Sequence, residues 1–432
     1  MRIGLIALSG VRVRDPDLHA LGLNLPGFVR RGEVIAALPS LGLLTLAGMT
    51  PSDIEVEYVE VDQLVADDWV PGEYDVVAIS SFTARILAAY RLAGRYRALG
   101  TTVVLGGLHV TLCPEEASRH ADAIVIGEGE PVWEELLGDL KAGGLRPRYD
   151  ARRTPFDLSV APMPRYSLLA GRAVDRYTLQ TQRGCPWDCE YCAASIRLAP
   201  GFRCKPSGRI QDEVNEILNV SRRPFLELAD DNTFASKGHG RQVADALRPF
   251  GLRWFTETDV SFAEDVELVA RVADAGCVQV LIGLESPTEA QLRGVEIKRD
   301  WKAIQAGRYL RAIDAIQSRG ISVNGCFVLG LDGADEESFD EVLTFVKASG
   351  LHEVQVTVQT PFPGTPLYAR LEGEGRLLAR GAWDRCTLFD VTFVPTDMTV
   401  QELRVGLRRL VGELYSDEAV ATRRARFRAQ RS

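Results

Sequence analysis

The stretch Thr181-Gln182-Arg183-Gly184-Cys185-Pro186-Trp187-Asp188-Cys189-Glu190-Tyr191-Cys192 sets three cysteines within eight residues, in the spacing C-x3-C-x2-C. A structural zinc site wants four protein ligands, and the usual zinc spacing closes with a second Cys or His pair. No further C-x-x-C or H-x3-H pair follows. Electron-transfer clusters are ligated by four Cys. Three thiolates therefore suit a 4Fe–4S cluster that leaves one iron without a protein ligand. Such an iron can bind and reduce a substrate.

The rest of the chain bounds what this loop serves. Its 432 residues allow two or three domains with a sizeable core. With 46% apolar and 25% charged residues it reads as a soluble globular protein. A net charge of −9 argues against nucleic acid as a partner. The first apolar run, Arg2–Leu8, is too short for a signal peptide and reads as a buried strand. No apolar run approaches the eighteen or more residues of a membrane helix. Eight cysteines without a secretory segment imply a reducing, cytoplasmic setting and metal chemistry instead of disulfides. Cys277 and Cys326 lie in apolar strand-like runs and read as core thiols.

Before the cysteine loop, strands are expected at Arg2–Leu8, Ile54–Val61, Asp75–Ser80, Thr102–Leu105 and Ala123–Ile126, with helices between them. The clearest helix is Ala84–Leu99, stopped by Gly100. This alternation predicts a doubly wound parallel sheet over residues 1–145, whose ligands sit at the carboxyl ends of the strands. Those ends carry Ser80-Ser81, Gly106-Gly107-Leu108-His109 and Gly127-Glu128-Gly129-Glu130. A Pro-containing linker follows at about 146–170.

From 171 to 370 strand and helix alternate again, at Arg176–Gln182, Phe225–Leu228, Arg253–Thr256, Val278–Ile282, Ser322–Leu329 and Glu353–Gln359. Ser207 is expected to cap a helix. Residues 371–432 form a small helical region. There Thr399 and Glu402 make a capping box, and the basic end, Arg423–Arg431, reads as a solvated helix terminus.

The cysteine loop resembles that of the radical SAM superfamily, down to Arg183-Gly184 before the first cysteine and Tyr191 before the third. The resemblance implies a 4Fe–4S cluster on Cys185, Cys189 and Cys192. In that family the free iron chelates S-adenosylmethionine, and one electron cleaves it to methionine and a 5'-deoxyadenosyl radical. The fold implied is a partial (β/α)6 barrel, with its site at the carboxyl ends of the strands. Asp230 and Asp231, after the second strand, would receive the cosubstrate's ammonium through charge-assisted bonds. Glu257 would contact its ribose or methionine, and Glu285, in Gly283-Leu284-Glu285-Ser286, would bind it or shape the site. Val328 and Gly330 would lie along the adenine, with Tyr191 on the other side.

The stretches GGLHVTLCPEEA and GEGEPVW resemble the cobalamin-binding domain of one large subclass of that superfamily. They imply a Rossmann-like cobalamin site at Ser80, Ser81, Gly106, Gly107, His109, Gly127 and Glu128. The D-x-H-x-x-G motif that supplies a histidine ligand to cobalt elsewhere is absent, so cobalamin would bind without a lower histidine. His109 also reads simply as a hydrogen-bonded loop histidine.

Together these features imply a radical SAM enzyme that methylates an unactivated carbon of a small molecule. An external flavodoxin- or ferredoxin-like electron donor would serve it, and no membrane. A non-methylating cyclase, dehydrogenase or rearrangement enzyme is the alternative with the same machinery. A cofactor-sensing binding protein is the alternative of another class. No catalytic acid or base is assigned.

Overall fold

The computed structural model describes residues 1–21, 38–64, 66 and 68–430. The chain divides into two compact units. The first comprises the described residues of 1–11, 36–184 and 193–224, the second those of 12–35, 185–192 and 225–432.

The first unit holds strands β1 (Arg2–Leu8), β2 (Glu55–Glu60), β3 (Val76–Ser81), β4 (Thr102–Gly106), β5 (Ala123–Ile126) and β6 (Arg148–Asp150). They form one parallel sheet in the order β2-β1-β3-β4-β5-β6. The central strands are apolar and buried along their length, as parallel strands covered on both faces must be. The register pairs Leu8 with Ser81 and Ser80 with Gly106, which aligns the carboxyl ends of three strands. The predicted helix forms as a short turn followed by Ile86–Ala98, and it buries Tyr90, Leu92, Ala93 and Tyr96.

Two expectations are corrected here. Part of the stretch read as a linker adds strand β6 to the sheet edge and buries Tyr149, Leu158 and Tyr166. Short strands and turns in Pro-rich sequence carry too little periodicity to be seen. Ser207 opens the helix Ser207–Val220 but does not cap it; Pro206 holds the cap position without a side-chain bond.

The first unit also contains β7 (Tyr177–Leu179) and the pair β8 (Gln182–Arg183) and β9 (Arg203–Cys204), which run antiparallel. The expected strand 176–182 is thus broken in two.

In the second unit β10 (Leu226–Leu228), β11 (Trp254–Thr258), β12 (Cys277–Glu285), β13 (Ser322–Leu329) and β14 (Glu353–Val358) pair in parallel, in sequence order. Helices Lys237–Leu247, Val266–Asp274, Tyr309–Gln317 and Glu337–Ser349 alternate with them. Strand alternation sorts the side chains onto two faces. One face is apolar and buried: Trp254, Val280, Ile282, Val323, Phe327, Val354 and Val356. The other carries Glu227, Glu257, Gln279, Asn324 and Cys326, brought together by the register.

The capping box at Thr399 and Glu402 forms as expected and starts the helix Val400–Leu414. The basic end is less solvated than its composition suggests. Arg423 and Phe427 are buried, Arg423 donates to the Leu414 carbonyl at 2.7 Å, and Arg424 pairs with Glu353 at 3.3 Å. No described helix is long and apolar enough to cross a membrane.

Candidate active site

The cysteine loop Cys185–Cys192 is held from two sides within the second unit. On one side it pairs with Val295–Ile297. Glu190 N–H donates to the Val295 carbonyl at 2.9 Å, Ile297 N–H donates to Asp188 at 3.1 Å, and Cys189 bridges to Glu296. Glu296 is buried, and its carboxylate accepts backbone N–H bonds from Asp188, Lys298, Arg299 and Trp301 at 2.8–3.4 Å. Burial opposes its charge, but those donors outweigh burial and hold it below the usual carboxylate range. On the other side Leu367 N–H donates to the Glu190 carbonyl at 3.0 Å. Arg370 grips the Glu190 carboxylate with two bonds, at 2.8 and 3.0 Å. Such a fork fixes orientation as well as charge.

Trp187 stacks on Trp301, ring centroids 4.3 Å apart, and its indole N–H donates to Asp259 at 2.8 Å. Asp259 also accepts from the Asn232 amide at 2.7 Å and from Ser261 N–H at 2.8 Å. The same Asn232 nitrogen lies 3.9 Å from the Cys185 sulfur. The sequence points to Asp230 and Asp231 at this strand end. The structure adds Asn232, whose amide can donate to a cysteine sulfur where a carboxylate cannot.

The three thiols are half-buried. Burial raises the Cys185 thiol, against donation from Trp187 N–H and Asn232, and pushes Cys189 up to about 12, against the Lys302 charge. A bare thiolate is therefore disfavoured here, and deprotonation belongs with binding of a cation. Among the described residues no three Cys, His, Asp or Glu converge as ligands of one metal ion.

Charged groups of the second unit act on this loop: Asp231 and Asp259 on Cys185, and Lys302 and Glu285 on Cys189. Glu257 is exposed to solvent at the polar face, with protein atoms crowded around its carboxyl. Burial, then the charges of Glu227 and Asp231, raise its carboxyl to about 7. Asp230 is buried and accepts the Thr233 hydroxyl at 2.9 Å, and Asp231 is half-buried. Glu285 takes a left-handed backbone, φ 65°, at a bulge in β12. Its carboxylate meets the Lys302 ammonium at 2.8 Å and adds to the burial that raises the Tyr191 hydroxyl. Lys302 was not anticipated, because a lysine in the helical pattern Trp301–Gln305 looks like any surface lysine.

Val328 is half-buried on the face that carries Cys326. Gly330 ends that strand at φ 81°, and a Cβ there would meet Leu403 and Phe393 at 2.9–3.0 Å, so only glycine fits. Cys326 is not the plain core thiol expected. It faces the polar side, under the charges of Glu285 and Glu257, with burial the larger influence on it. The side-chain amide of Asn324 and the side-chain amide oxygen of Gln279, both on this face, are buried without a hydrogen-bond partner. Such groups ask for a polar ligand or water.

In the first unit the expected cofactor residues gather at the carboxyl edge of the sheet. Gly107 follows β4 at φ 107°, and a Cβ would come within 3.0 Å of the Ser80 hydroxyl. The Ser81 hydroxyl is buried without a partner, and Gly106 and Gly127 leave the strand ends bare of side chains. Two residues are placed differently. His109 is buried, with its ring nitrogens 3.4 Å from Thr83 and from Glu116, and burial keeps it neutral against the pull of Glu116. The Glu128 carboxylate is fully engaged. It accepts from Arg183, from Arg203 at 2.8 Å and from Phe156 N–H at 2.7 Å, which outweigh burial and hold it ionised. Arg183 also reaches Glu130 at 2.8 Å.

Comparison with known proteins fits both units. Residues 29–137 match the B12 binding domain model, 179–346 the radical SAM superfamily model, and 365–431 a domain of unknown function, DUF4070. The chain is 30% identical over 363 residues to bacteriochlorophyllide d C-8(2)-methyltransferase of Chlorobaculum tepidum, covering 80% of this chain and 78% of that protein. The chain belongs to the cobalamin-binding subclass of the radical SAM superfamily.

A second relative in the same organism, bacteriochlorophyllide d C-12(1)-methyltransferase, is 26% identical over 89% of this chain and 84% of its own length. The radical SAM methyltransferase TsrM of Kitasatospora setae shares the fold at TM-score 0.68 and 15% identity, over 96% of this chain and 89% of that one. As a member of this subclass the protein is an enzyme whose cofactors are a 4Fe–4S cluster, S-adenosylmethionine and cobalamin.

Proposed function

We propose that this enzyme methylates an unactivated carbon of a small-molecule substrate. The observation that carries this reading is one chain matching both the B12 binding and radical SAM models, aligned along most of its length with a methyltransferase. When bound, the cluster and S-adenosylmethionine supply a radical that removes a hydrogen no acid–base group could take, and cobalamin carries the methyl group.

Cys185, Cys189 and Cys192 hold the cluster, in a loop fixed by Glu296 and Arg370. Asp230 and Asp231 accept the cosubstrate's ammonium, and Glu285, oriented by Lys302, shapes that pocket beside Tyr191. Val328 and Gly330 form the wall along its adenine, and Glu257 reaches its ribose or methionine part. Ser80, Ser81, Gly106, Gly107 and Gly127 cradle the corrinoid, while His109 and Glu128 support that edge from within the fold. A low-potential flavodoxin- or ferredoxin-like donor and a cytoplasmic setting suit an oxygen-sensitive cluster.

Methyl-labelled S-adenosylmethionine tests the reading. With the true substrate, label should enter the product while S-adenosylhomocysteine and 5'-deoxyadenosine form in step. A second reading draws on a relative named anaerobic magnesium-protoporphyrin IX monomethyl ester cyclase, 23% identical over 94% of this chain. In that case 5'-deoxyadenosine would accumulate with no label transferred.

A further inference from the structure

We propose that the ion pair between Glu190 and Arg370 sets how readily the cluster on the cysteine loop accepts its electron. The proposal rests on the reading that Cys185, Cys189 and Cys192 hold a reducible cluster. It gives the C-terminal stretch 365–431, which contains Arg370, a task of its own.

Glu190 directly follows Cys189 and stands two residues before Cys192. Its backbone is fixed on both sides, the N–H on the Val295 carbonyl at 2.9 Å and the carbonyl on Leu367 N–H at 3.0 Å. Consecutive Cα atoms are 3.8 Å apart, so the charge of Glu190 acts on whatever its neighbour Cys189 holds. The residue is buried, and a buried charge is screened little by salt.

Its partner comes from one short helix, Pro366–Gly373. Thr365 caps it by accepting Tyr368 N–H at 3.2 Å, and Pro366 takes the first turn. Leu367 and Arg370 are three positions apart and so share a face of that helix. The first holds the Glu190 carbonyl, and the second grips the carboxylate at 2.8 and 3.0 Å. The Gln359 amide adds a longer bond to the same carboxylate at 3.4 Å.

Three other carboxylates beside the loop are offset by nearer neighbours. Asp188 meets Lys298 at 3.2 Å, Glu285 meets Lys302 at 2.8 Å, and Glu296 is held by backbone N–H groups. Glu190 depends instead on Arg370. On its outer side Arg370 also meets Asp332 at 2.6 Å and Glu374 at 3.5 Å, but these are 40% and 41% exposed. Arg376 pairs with both, at 2.9 and 2.8 Å. Removing Arg370 therefore leaves one buried negative charge, on Glu190, while the outer carboxylates keep a cation and water.

Reduction adds one negative charge to the cluster. An unbalanced carboxylate nearby opposes that charge and a cation favours it, and cluster potentials respond to net charge and solvent exposure. The pair thus keeps the reduced cluster within reach of a biological donor.

The test uses the full-length reconstituted chain and four variants: Arg370→Met, Arg370→Lys, Glu190→Gln, and Arg370→Met with Glu190→Gln. Potentials are read by redox titration with paramagnetic resonance, and iron content is measured alongside. Arg370→Met should shift the reduction equilibrium at least tenfold against the reduced cluster, about 59 mV downward for one electron. Arg370→Lys keeps the charge and should stay near wild type. Glu190→Gln leaves the cation unbalanced and should move the potential upward, and the double variant should return toward wild type. One common potential in all loaded variants would overturn the proposal and leave the pair a mechanical tie. Arg370→Lys behaving as Arg370→Met would also overturn it, since geometry and not charge would then decide. If Arg370→Met takes up no iron, Glu190→Gln, which keeps shape and acceptor, decides alone: an unmoved potential overturns the proposal. A wild-type chain with no dithionite-reducible cluster would instead overturn the underlying reading.

Discussion

The Lys302 ammonium lies 2.8 Å from the Glu285 carboxylate and 2.6 Å from the Gly283 carbonyl, with both side chains closed off from solvent. The lysine thereby ties both ends of the bulge at which Glu285 takes its left-handed backbone. A non-glycine residue held at positive φ costs of order 1–3 kcal/mol, and it persists only where its surroundings impose it.

Replacing Lys302 by Ala would leave the Glu285 carboxylate buried without its counter-charge, with the Tyr191 hydroxyl still in reach. Removing one partner of a buried pair costs about 3–5 kcal/mol. Urea unfolding of the cluster-free chain should show a loss of that order. A double variant, Lys302→Met with Glu285→Gln, should recover much of it. If the single variant unfolds at the wild-type midpoint, the pair is not the closed one described.

Glu257 gives a pH dependence whose sign can be worked out. Its carboxyl is raised to about 7 by burial and by Glu227 and Asp231, so the folded chain keeps this proton at pH values where the unfolded chain has released it. Its contribution to stability is therefore largest at low pH and declines as pH rises toward 7. A cosubstrate that binds the ionised form should bind more tightly as pH rises through that range. Glu257→Gln should flatten both trends, checked by equilibrium binding of S-adenosylmethionine and by denaturation from pH 5 to 8.

Much of this architecture was legible because periodic patterns carry it. Strands such as Arg2–Leu8 and Ser322–Leu329 stand where their apolar runs put them, and the cysteine spacing marks the loop without any fold. What stayed hidden depends on partners distant in sequence. Glu128 reads as a loop carboxylate beside glycines until Arg183 and Arg203 are seen to close on it from 55 and 75 residues away. Arg370 reads as a surface arginine until it meets Glu190, 180 residues away. Buried charge pairs have no sequence period, so composition and spacing cannot report them.

The Glu128 cluster yields the next prediction. Glu128→Ala would leave Arg183 and Arg203 facing each other with no carboxylate between them, though Arg183 keeps Glu130 and Gln180. The cost should be about 3–5 kcal/mol, the range for breaking a buried pair. Because Arg183 stands two residues before Cys185, iron content after reconstitution should fall in the same variant. Glu128→Gln, which keeps acceptor and shape, should lose less of both. Unchanged unfolding in Glu128→Ala would contradict the burial described.

Asn232 offers a last test, read as a potential. Its amide nitrogen donates to Asp259 at 2.7 Å and stands 3.9 Å from the Cys185 sulfur. A donor near a cluster sulfur favours the more negative, reduced state, and hydrogen bonds to the sulfurs help set cluster potentials. Asn232→Ala should therefore make reduction harder and move the potential downward. A hydrogen bond worth about 1 kcal/mol corresponds to roughly 40 mV for one electron, and the long contact makes that an upper bound. Asp259 would keep Trp187 and Ser261, so the loop should hold its cluster. Redox titration followed by paramagnetic resonance measures the shift, with iron content as control. An unchanged potential at full iron content would mean that the amide faces Asp259 alone and leaves the sulfur untouched.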